Sequence, residues 1–456
     1  MNRIDVLPDD VLLKIFDSYM KADALYSLKR KTEEWQPLVH VCRRWRSLVL
    51  GSPRGLNLQL YCTPKTPARD TLDVWPALPL IIQGDMTSSS GTDNIIAALG
   101  RSNRVCQISL RALEGWRLEE VLAAMEAPFP VLTELSLLSF YETPPAIPDS
   151  FLGGSAPCLQ YFNLNGIPFP GLPTLLLSAT HLVSLWLWNI PHSGYISPEA
   201  IVALISVLAS LNSLFLEFQS PQSRPDRETR RRSSKRCVIP ALEFFHFKGV
   251  IEYLEDLVTG IDTPQLHHLR RTFFNQIDFN TPRLAQFINR TPKLAKRDAT
   301  VQFNDDSSVV GLSAETLQIA ISCKEPDWQL SSIEQVCNSS LPPLLTVEDL
   351  YVEHRYLRLF WKNNVIENSL WLQLFLPFTA VKNLYLSRVF APGIAAALQE
   401  LVGGRITEVL PNLENVFVEG LGPSGPFQKS IGQFVTARQL SDHPITISVW
   451  DRPKNV

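Results

Sequence analysis

The sequence predicts a mixed α/β protein in which a small N-terminal helical module precedes a long body of repeated strand–helix units. Two short amphipathic helical patterns occupy the first fifty residues, and from about residue 100 a short apolar pattern recurs along the chain. The 456 residues include 34 prolines, and 45% of them are apolar. This composition favours many short elements around a core over long uninterrupted helices.

The first helical pattern begins near Asp9. Asp9 and Asp10 occupy its first turn, where carboxylates favour the positive end of the helix dipole. Leu7 and Pro8 precede the helix and can fold against it. One apolar face is formed by residues at helical spacing, namely Leu12, Ile15, Phe16 and Tyr19.

The second pattern predicts one helix over residues 37–49. Pro37 suits its first position, and Gly51 and Pro53 end it. Its apolar face consists of Leu38, Val41, Cys42, Trp45, Leu48 and Val49, and the residues that fall away from this face are Arg43, Arg44 and Arg46. Two such helices bury little surface alone, so they form either a cap on the following domain or a docking module for a partner.

The two segments, LPDDVLLKIFDSYM and LVHVCRRWRSLVLGSP, together resemble an F-box, and with SPRGLNLQL they are similar to F-box proteins of mushroom-type fungi. The matching residues are Leu7, Pro8, Asp10, Leu12, Ile15, Phe16, Val41, Cys42, Arg43, Arg44 and Trp45. The resemblance implies that this module binds a Skp-type adaptor and joins an SCF-type cullin–RING ubiquitin ligase through it. The adaptor-binding residues would be Leu7, Pro8, Leu12, Ile15, Phe16, Val41 and Trp45.

A charged insert at residues 20–36 lies between the two segments, and Ala24, Leu25 and Leu28 are candidates for a middle helix. The F-box-like module is assigned residues 1–55. Residues 56–100 are expected to form a connecting or capping segment. The repeating body is assigned residues 101–456, with a basic loop at residues 220–237.

The recurring pattern is apolar-x-x-apolar-x-apolar, and its last two apolar positions predict a short strand in each copy. The pairs are Ile108/Leu110, Leu135/Leu137, Phe162/Leu164, Leu185/Leu187, Leu214/Leu216, Phe245/Phe247, a poor copy at Leu269, Val301/Phe303, Leu317/Ile319, Leu350/Val352, Leu384/Leu386 and Val416/Val418. Ile445, Ile447 and Val449 predict a last strand. The first members of the first six pairs are 27, 27, 23, 29 and 31 residues apart. Such self-similarity is typical of a solenoid.

Helical patterns fill several gaps between the predicted strands, as at Ile201–Leu208, Leu254–Ile261 and Ile394–Val402. The body therefore resembles the leucine-rich repeats often found after an F-box, which place a parallel sheet on the concave side and helices on the convex side. The step from Val301 to Leu317 is too short for a strand–helix unit and predicts a hairpin or a break. An ordinary α/β domain is the alternative interpretation.

The sequence contains no persuasive catalytic or metal-binding pattern. It has no GxxxxGK[ST], no GxSxG and no CxxC. Adjacent His267 and His268 point different ways on a regular element, and Glu252, Glu255 and Asp256 are expected on the solvated face of a helix. We therefore expect a protein that is not an enzyme and holds neither a metal nor a cofactor.

One polar segment, SPQSRPDRETRRRSSKR at residues 220–236, is rich in arginine. It is either a disordered loop, a nuclear-import signal, or a docking patch for acidic or phosphorylated partners. The residues of the possible import signal are Arg230, Arg231, Arg232, Lys235 and Arg236. No aromatic residue is interleaved with these cations, so base stacking has no support.

Five tryptophans, at positions 186, 188, 328, 361 and 371, are candidate partner anchors. Because Leu185 and Leu187 face inward in the repeat register, Trp186 and Trp188 would face the opposite side of the sheet and contact a target there. The alternative is that these aromatic side chains pack between repeats.

Together these observations predict the substrate-recognition subunit of an SCF-type ligase, which binds an adaptor and an unknown protein target. A repeat scaffold without a ligase connection is the alternative. The formal net charge of −3 gives no pull toward nucleic acid or an anionic membrane. Residues 150–198 lack charged side chains, but their prolines favour buried short elements over a membrane span. The charged N-terminus is not a secretory signal, so we expect an intracellular protein, cytoplasmic or nuclear or both.

Overall fold

The structure is a computed structural model. It describes residues 7–22, 35–53, 55–87, 91–113, 115–221, 236–274, 279–294, 297–313, 316–354, 366–401, 405–420 and 426–451. The chain forms two compact units, unit 1 at Met1–Tyr195 and unit 2 at Ile196–Val456. The predicted body at residues 101–456 is therefore divided between two units, and the N-terminal helices belong to unit 1.

Unit 1 begins with three helices: α1 (Asp9–Ala22), α2 (Gln36–Val41) and α3 (Arg43–Gly51). The predicted single helix over residues 37–49 is wrong, because the chain is extended at Cys42, with φ −157° and ψ 169°. The Cys42 sulfur accepts a hydrogen bond from the Trp45 backbone N–H at 3.5 Å and so caps α3. The candidates for a middle helix, Ala24, Leu25 and Leu28, lie outside the described residues.

The rest of unit 1 alternates strands with helices. The strands are β1 (Leu60–Cys62), β2 (Leu80–Asp85), β3 (Val105–Arg111), β4 (Glu134–Leu138), β5 (Tyr161–Asn165) and β6 (Ser184–Ile190). The helices are α4 (Ala68–Val74), α5 (Thr92–Leu99), α6 (Gly115–Ala124) and α7 (Leu172–Leu176), with 3-10 turns at Phe151–Gly154 and His192–Gly194. Each strand pairs in parallel with the next along the chain.

The segment at residues 56–100 contains two strands of this sheet. Leu80 on β2 lies opposite Leu60 on β1 and opposite Val105 on β3. The parallel strands therefore begin at Leu60 rather than at about residue 100. The apolar pattern is incomplete here because β1 has only three residues.

Unit 2 contains a larger sheet and its helices. Its strands are β7 (Ser213–Phe218), β8 (Cys237–Val238), β9 (Phe244–Gly249), β10 (Ile261–Asp262), β11 (His268–Phe274), β12 (Asp298–Phe303), β13 (Ser307–Leu312), β14 (Leu317–Ser322), β15 (Asp349–His354), β16 (Asn383–Leu386), β17 (Asn415–Glu419) and β18 (Thr446–Trp450). Its helices are α8 (Pro198–Ile205), α9 (Ile251–Thr259), α10 (Pro282–Asn289), α11 (Pro326–Ser340), α12 (Asn368–Phe375), α13 (Ala391–Gln399) and α14 (Pro426–Leu440), with 3-10 turns at Pro292–Leu294 and Pro342–Thr346. The strand order in this unit is β7-β9-β11-β14-β13-β12-β15-β16-β17-β18, and β8 pairs separately with β10.

An antiparallel insertion interrupts the parallel order of unit 2. Strand β13 pairs antiparallel with β12 and with β14, whereas β11 pairs in parallel with β14 and β12 with β15. This confirms a hairpin at the short step between Val301 and Leu317. No helix fits within that step, so the chain reverses by tight turns.

The predicted apolar pairs lie in the strands, and their side chains are buried on one face of each sheet. The residues between them are half-buried or exposed, as the burial pattern of β7 shows, except that His246 on β9 is buried. We call the face formed by these alternate residues the open face of a unit. Each unit is therefore mixed α/β with mainly parallel pairing, the layout of a leucine-rich-repeat-like body.

Glu255 on α9 was expected on the solvated face of the helix, but the structure buries it. Its carboxylate is buried and accepts hydrogen bonds from the backbone N–H groups of Arg283 at 3.1 Å and Leu284 at 2.7 Å. These donors belong to the first turn of α10, so Glu255 caps the next helix of the unit. Burial raises the pKa of this carboxyl group, although both backbone donors oppose the shift.

Candidate functional site

The N-terminal helices pack through a small aromatic contact. Leu12 and Phe16 on α1 are buried, and the Phe16 ring lies 4.7 Å from the Trp45 ring on α3. Phe16 and Trp45, both predicted to bind an adaptor, therefore take part in holding α1 against α3.

Other predicted adaptor-binding residues remain at the surface. The side chain of Ile15 is 46% exposed and that of Val41 is 60% exposed. Pro8 is exposed, and Leu7 is half-buried. Tyr19, one turn after Ile15, is also exposed. The apolar face of α1 is thus divided between a packed side and an exposed side.

Arg44 fixes the beginning of α1, a role that its position away from the apolar face did not suggest. Its Nη2 donates to the Asp9 carboxylate at 2.5 Å and to the Leu7 carbonyl at 2.6 Å. Its Nε donates to the same Asp9 oxygen at 3.1 Å. Charge-assisted bonds of this kind hold Leu7 and the first turn of α1 against α3.

A groove of about 520 Å³ lies beside this helix pair. Its lining includes Leu13, Lys14 and Asp17 of α1, and Pro53 and Leu56 after α3. None of the predicted adaptor-binding residues lines it. The sequence pattern did not indicate this groove, because two separate segments form its walls.

Trp186 and Trp188 lie on the open face of unit 1, as predicted. Both are half-buried on β6, on either side of buried Leu187. The Trp186 ring lies 5.2 Å from the Tyr161 ring and 6.0 Å from the Trp188 ring, in edge-to-face arrangements. Beside them, the Asn163 amide donates to the Ser136 hydroxyl at 3.1 Å. The result is an aromatic patch bordered by short polar side chains.

The remaining candidate tryptophans differ among themselves. Trp371 is buried and packs against Phe303 and Phe390, so it is a core residue and not a partner anchor. Trp328 is exposed. Trp361 lies outside the described residues.

The open face of unit 2 carries a stack of aromatic rings that the sequence reading missed. The Tyr351 ring on β15 stacks on Tyr385 of β16 at 4.3 Å, and Tyr385 stacks on Phe417 of β17 at 4.6 Å. The Trp450 ring lies 5.9 Å from Tyr351 and 5.7 Å from Tyr385. Strand register places Tyr351, Tyr385 and Phe417 opposite one another. The sequence contained a signal for this stack, because Tyr351, Tyr385 and Phe417 occupy the same position in three successive copies of the repeat.

A row of polar side chains runs beside this stack. The Asn415 amide donates to the Asn383 side-chain oxygen, and the Asn383 amide donates to the Asp349 carboxylate, both at 2.8 Å. Asp298 on β12 lies opposite Asp349 in the register. The row therefore ends in two neighbouring carboxylates.

Histidines and phenylalanines cluster on β7, β9 and β11 of the same unit. His246 stacks on Phe215 at 5.4 Å and forms a 2.7 Å contact with the Glu217 carboxylate. His267 and His268, expected to point apart, both contact Phe244, at 5.3 and 4.5 Å. The contacts between rings are packing contacts, and the contact between His246 and Glu217 is a hydrogen bond. No group of three or more possible metal ligands occurs among the described residues.

Most of the basic segment lies outside the described residues, including Arg230, Arg231, Arg232 and Lys235. Arg236 is described and exposed. The possible nuclear-import signal therefore stays a prediction.

A glycine-rich stretch, GLGPSG at residues 420–425, follows β17 and precedes α14. It matches the G-x-G-x-x-G pattern of phosphate-binding turns, and the sequence reading overlooked it. Pro423 and Pro426 have no N–H groups to offer a phosphate. Of the six residues, the structure describes only Gly420, so the match supports no nucleotide assignment. Across the described residues, no helix is both long and apolar enough to cross a membrane.

Comparisons with known proteins establish no family for this chain. No family model and no curated protein match it. Two solved structures that match are leucine-rich repeat-containing protein LegL7 from Legionella pneumophila and TLR13 in a TLR13–ssRNA13 complex. Each is 14% identical in sequence, and the TM-scores are 0.28 and 0.29. The matches cover 83% of this chain and 97% of LegL7, and 85% of this chain and 52% of TLR13. TM-scores of this size carry no argument, so the repeat organisation rests on the strand registers described above.

Proposed function

We propose that this protein is the substrate-recognition subunit of an SCF-type cullin–RING ubiquitin ligase. Its N-terminal F-box-like module docks a Skp-type adaptor, and its repeats bind a target protein. One observation carries the proposal: α1 buries Leu12 and Phe16, with the Phe16 ring against Trp45 of α3, and leaves Ile15 and Tyr19 exposed on the same helix. A helix that is apolar on both sides has one face for its own fold and another for a partner.

The contacts around α1 give this module a defined shape before any partner binds. Arg44 ties the chain at Leu7 and Asp9, and the contact between Phe16 and Trp45 sets the approach of α3. Pre-ordering of this kind lowers the entropy lost on binding. The exposed side chains of Pro8, Ile15 and Val41 then supply apolar area for an adaptor helix.

In this proposal the chain performs no catalytic step. The other ligase subunits supply the ubiquitin chemistry, and the open faces select the target. Trp186 and Trp188 remain the proposed contacts in unit 1, since large half-buried aromatic side chains are frequent hot spots. The proposed compartment is intracellular, because Skp-type adaptors and cullins are located there. The basic segment is the proposed nuclear-import signal.

A second candidate function is a repeat scaffold without a ligase connection. The observation that favours it is the leucine-rich-repeat-like body itself, whose open faces need no adaptor to bind proteins. In that case the N-terminal helices cap the repeats. The two functions differ in one measurable property, which is direct binding of a Skp-type adaptor.

The test uses full-length protein in which Ile15 and Val41 are both replaced by Asp. Burial of each side chain contributes about 1.5–3 kcal/mol, so adaptor affinity should fall at least about tenfold. Calorimetry with a purified Skp-type adaptor measures the affinity. The matched control is Val74→Asp, since Val74 is 77% exposed and lies on α4 outside the module.

Adaptor binding that is lost in Ile15→Asp/Val41→Asp and kept in Val74→Asp supports the ligase function. Absence of binding to the unchanged protein, or equal loss in the control, contradicts it. A fall in the melting temperature of the double variant, without adaptor binding in the unchanged protein, supports the capping role. Leu12 is unsuitable for this test because it is fully buried, and a polar residue there would unfold the module.

A further inference from the structure

The aromatic stack of unit 2 ends at Tyr351. We call the residues Asp298, Asp349, Tyr351, Tyr385 and Phe417 the tyrosine–carboxylate face. On the far side of Tyr351, register places Thr300 of β12, and beyond Thr300 lies Gly311 of β13. Both are small, so no described aromatic ring stacks on that side of Tyr351. The outer side of the ring therefore borders only the small Thr300 side chain in the register.

Two carboxylates lie next to this pair, two residues earlier on the same two strands. Asp298 and Asp349 lie directly opposite each other on neighbouring parallel strands, which are about 4.8 Å apart in a sheet. The hydrogen bonds that they accept come from neutral groups, the Ser313 hydroxyl at 2.5 Å and the Asn383 amide at 2.8 Å. No ion pair between described residues includes either carboxylate. Like charges placed opposite each other are unfavourable, and a cation between them removes that repulsion.

The pKa values of two neighbouring phenols, Tyr351 and Tyr385, are raised. Burial, followed by the nearby Tyr385 phenol and the Asp349 charge, raises the pKa of Tyr351 to about 12. Burial and Asp349 also raise the pKa of Tyr385. Both phenols are therefore neutral at pH 7 and add no charge of their own to that of the two carboxylates.

We propose that the tyrosine–carboxylate face binds an arginine-bearing extended segment of the target protein. The guanidinium lies flat against the outer side of the Tyr351 ring above Thr300 and donates to Asp298 and Asp349. This inference rests on the proposed function of the repeats in binding a target. Charge complementarity selects a cationic side chain, and the combination of a ring face with paired carboxylates selects arginine over lysine. A guanidinium is planar, stacks on aromatic rings and donates in a fork, whereas an ammonium is a compact point charge.

The experiment measures fluorescence anisotropy of labelled peptides with full-length protein at physiological salt. The three probes are alternating Ser-Arg, Ser-Lys and Ser-Gln peptides of equal length. We expect the arginine peptide to bind at least about tenfold more tightly than the lysine peptide and the glutamine peptide not to bind. Equal affinity for the arginine and lysine peptides overturns the assignment, because it shows attraction by net charge alone.

Variants of the face locate the binding site. Asp298→Asn/Asp349→Asn should lower the affinity for the arginine peptide at least about tenfold, since both charged acceptors are lost. Tyr351→Leu should lower it severalfold, whereas Tyr351→Phe should leave it nearly unchanged because the ring is kept. The matched control is Glu119→Gln/Glu120→Gln, which removes two exposed charges on α6 of unit 1. Equal loss in this control, or equal loss in both Tyr351 variants, overturns the proposal.

Adaptor affinity measured on the same proteins separates this inference from the proposed function. Variants of the face that lose the arginine peptide should keep adaptor binding unchanged. Adaptor binding without a preference for arginine overturns only the inference about the face. Arginine binding by a protein that does not bind the adaptor overturns only the ligase connection. Urea unfolding of each variant confirms that the fold is intact, and the Asp→Asn changes preserve side-chain shape.

Discussion

Two fully buried arginines of unit 2 lie in contrasting surroundings. Arg438 on α14 donates to the carbonyl of Leu410 at 2.6 Å and to that of Pro411 at 3.2 Å, and its guanidinium lies 5.5 Å from the Phe434 ring. Arg271 on β11 is equally buried, but its three guanidinium nitrogens make no hydrogen bond to a described residue. The first arginine joins a helix to a turn, and the second occupies an inward strand position that an apolar residue fills in neighbouring copies.

This difference shows that burial of a charge has no fixed effect on stability. A buried cation that donates hydrogen bonds ties elements together, whereas one that donates none keeps the cost of lost hydration. The strand register places Arg271 between two apolar residues, Phe247 on one side and Ile319 on the other. Burial lowers the pKa of Arg271 to about 9, and it lowers the pKa of Arg438 as well.

The largest expected effect comes from Arg438→Met. The change removes two charge-assisted hydrogen bonds from a turn in which Leu410 has a φ of 47°, so the free energy of unfolding should fall by about 3–5 kcal/mol. Urea unfolding followed by circular dichroism measures it. Gln433→Met, at an exposed position of the same helix, should change stability by less than about 0.5 kcal/mol. An unchanged midpoint in Arg438→Met would contradict the bonded role of this side chain.

Arg271→Met should change stability in the opposite direction. Replacing an unbonded buried cation by an apolar side chain of similar length should raise the free energy of unfolding by about 2–4 kcal/mol. The same urea titration measures it. Arg270→Met is the control, because Arg270 is exposed and bonds to Gln318 at 2.7 Å. Destabilisation by Arg271→Met would show that the guanidinium has a favourable partner.

Glu255→Ala extends the comparison to a buried anion. The loss of the carboxylate leaves the N–H groups of Arg283 and Leu284 without an acceptor, so stability should fall by about 2–3 kcal/mol. Glu252→Ala, at an exposed position on the same helix, should change it by less than about 0.5 kcal/mol. Hydrogen exchange at residues 283 and 284 should become faster in the Glu255 variant only. Equal exchange rates in both variants would contradict the capping role.

The smallest expected effect is a pH dependence of the stability difference between the unchanged protein and Arg271→Met. The pKa of Arg271 is about 9 in the folded chain and 12.5 in its ordinary state, so the unfolded chain binds more protons between these values. The stability of the unchanged protein relative to Arg271→Met should therefore rise with pH, by roughly 1.4 kcal/mol for each unit above about 9. Urea titrations of both proteins at pH 8, 9 and 10 measure the difference. If the stability difference between the two proteins stays constant from pH 8 to 10, the lowered pKa of Arg271 is contradicted.

Much of the fold could be predicted because strand positions depend on a local pattern. Pairs such as Leu135/Leu137 and Leu384/Leu386 alternate with polar residues, and this alternation is sufficient to form one buried face in a strand. The short step at Val301 likewise predicted a hairpin or a break, and the structure contains a hairpin there. The break at Cys42 could not be predicted, because the residues on both sides keep helical spacing and a sulfur cap replaces the expected backbone bond.

The candidate surfaces were predictable only in part. Helical spacing placed Leu12 and Ile15 on one apolar face, but the position of α3 decided that Leu12 is buried and Ile15 exposed. The alternation at Leu187 correctly placed Trp186 and Trp188 on the open face. The tyrosine–carboxylate face was missed because its residues come from four strands that lie far apart along the chain.

The sequence by itself determined most strands of the repeats from Ile108 onward and which of their apolar residues face inward, since both follow from short-range periodicity. Tertiary structure alone decided the partners of the buried charges, the division of the α1 apolar face and the assembly of the tyrosine–carboxylate face. The physical reason is that hydrogen bonds, ring stacks and like-charge pairs depend on distances across strands and helices. Periodicity along the chain carries no information about those distances until the register is known.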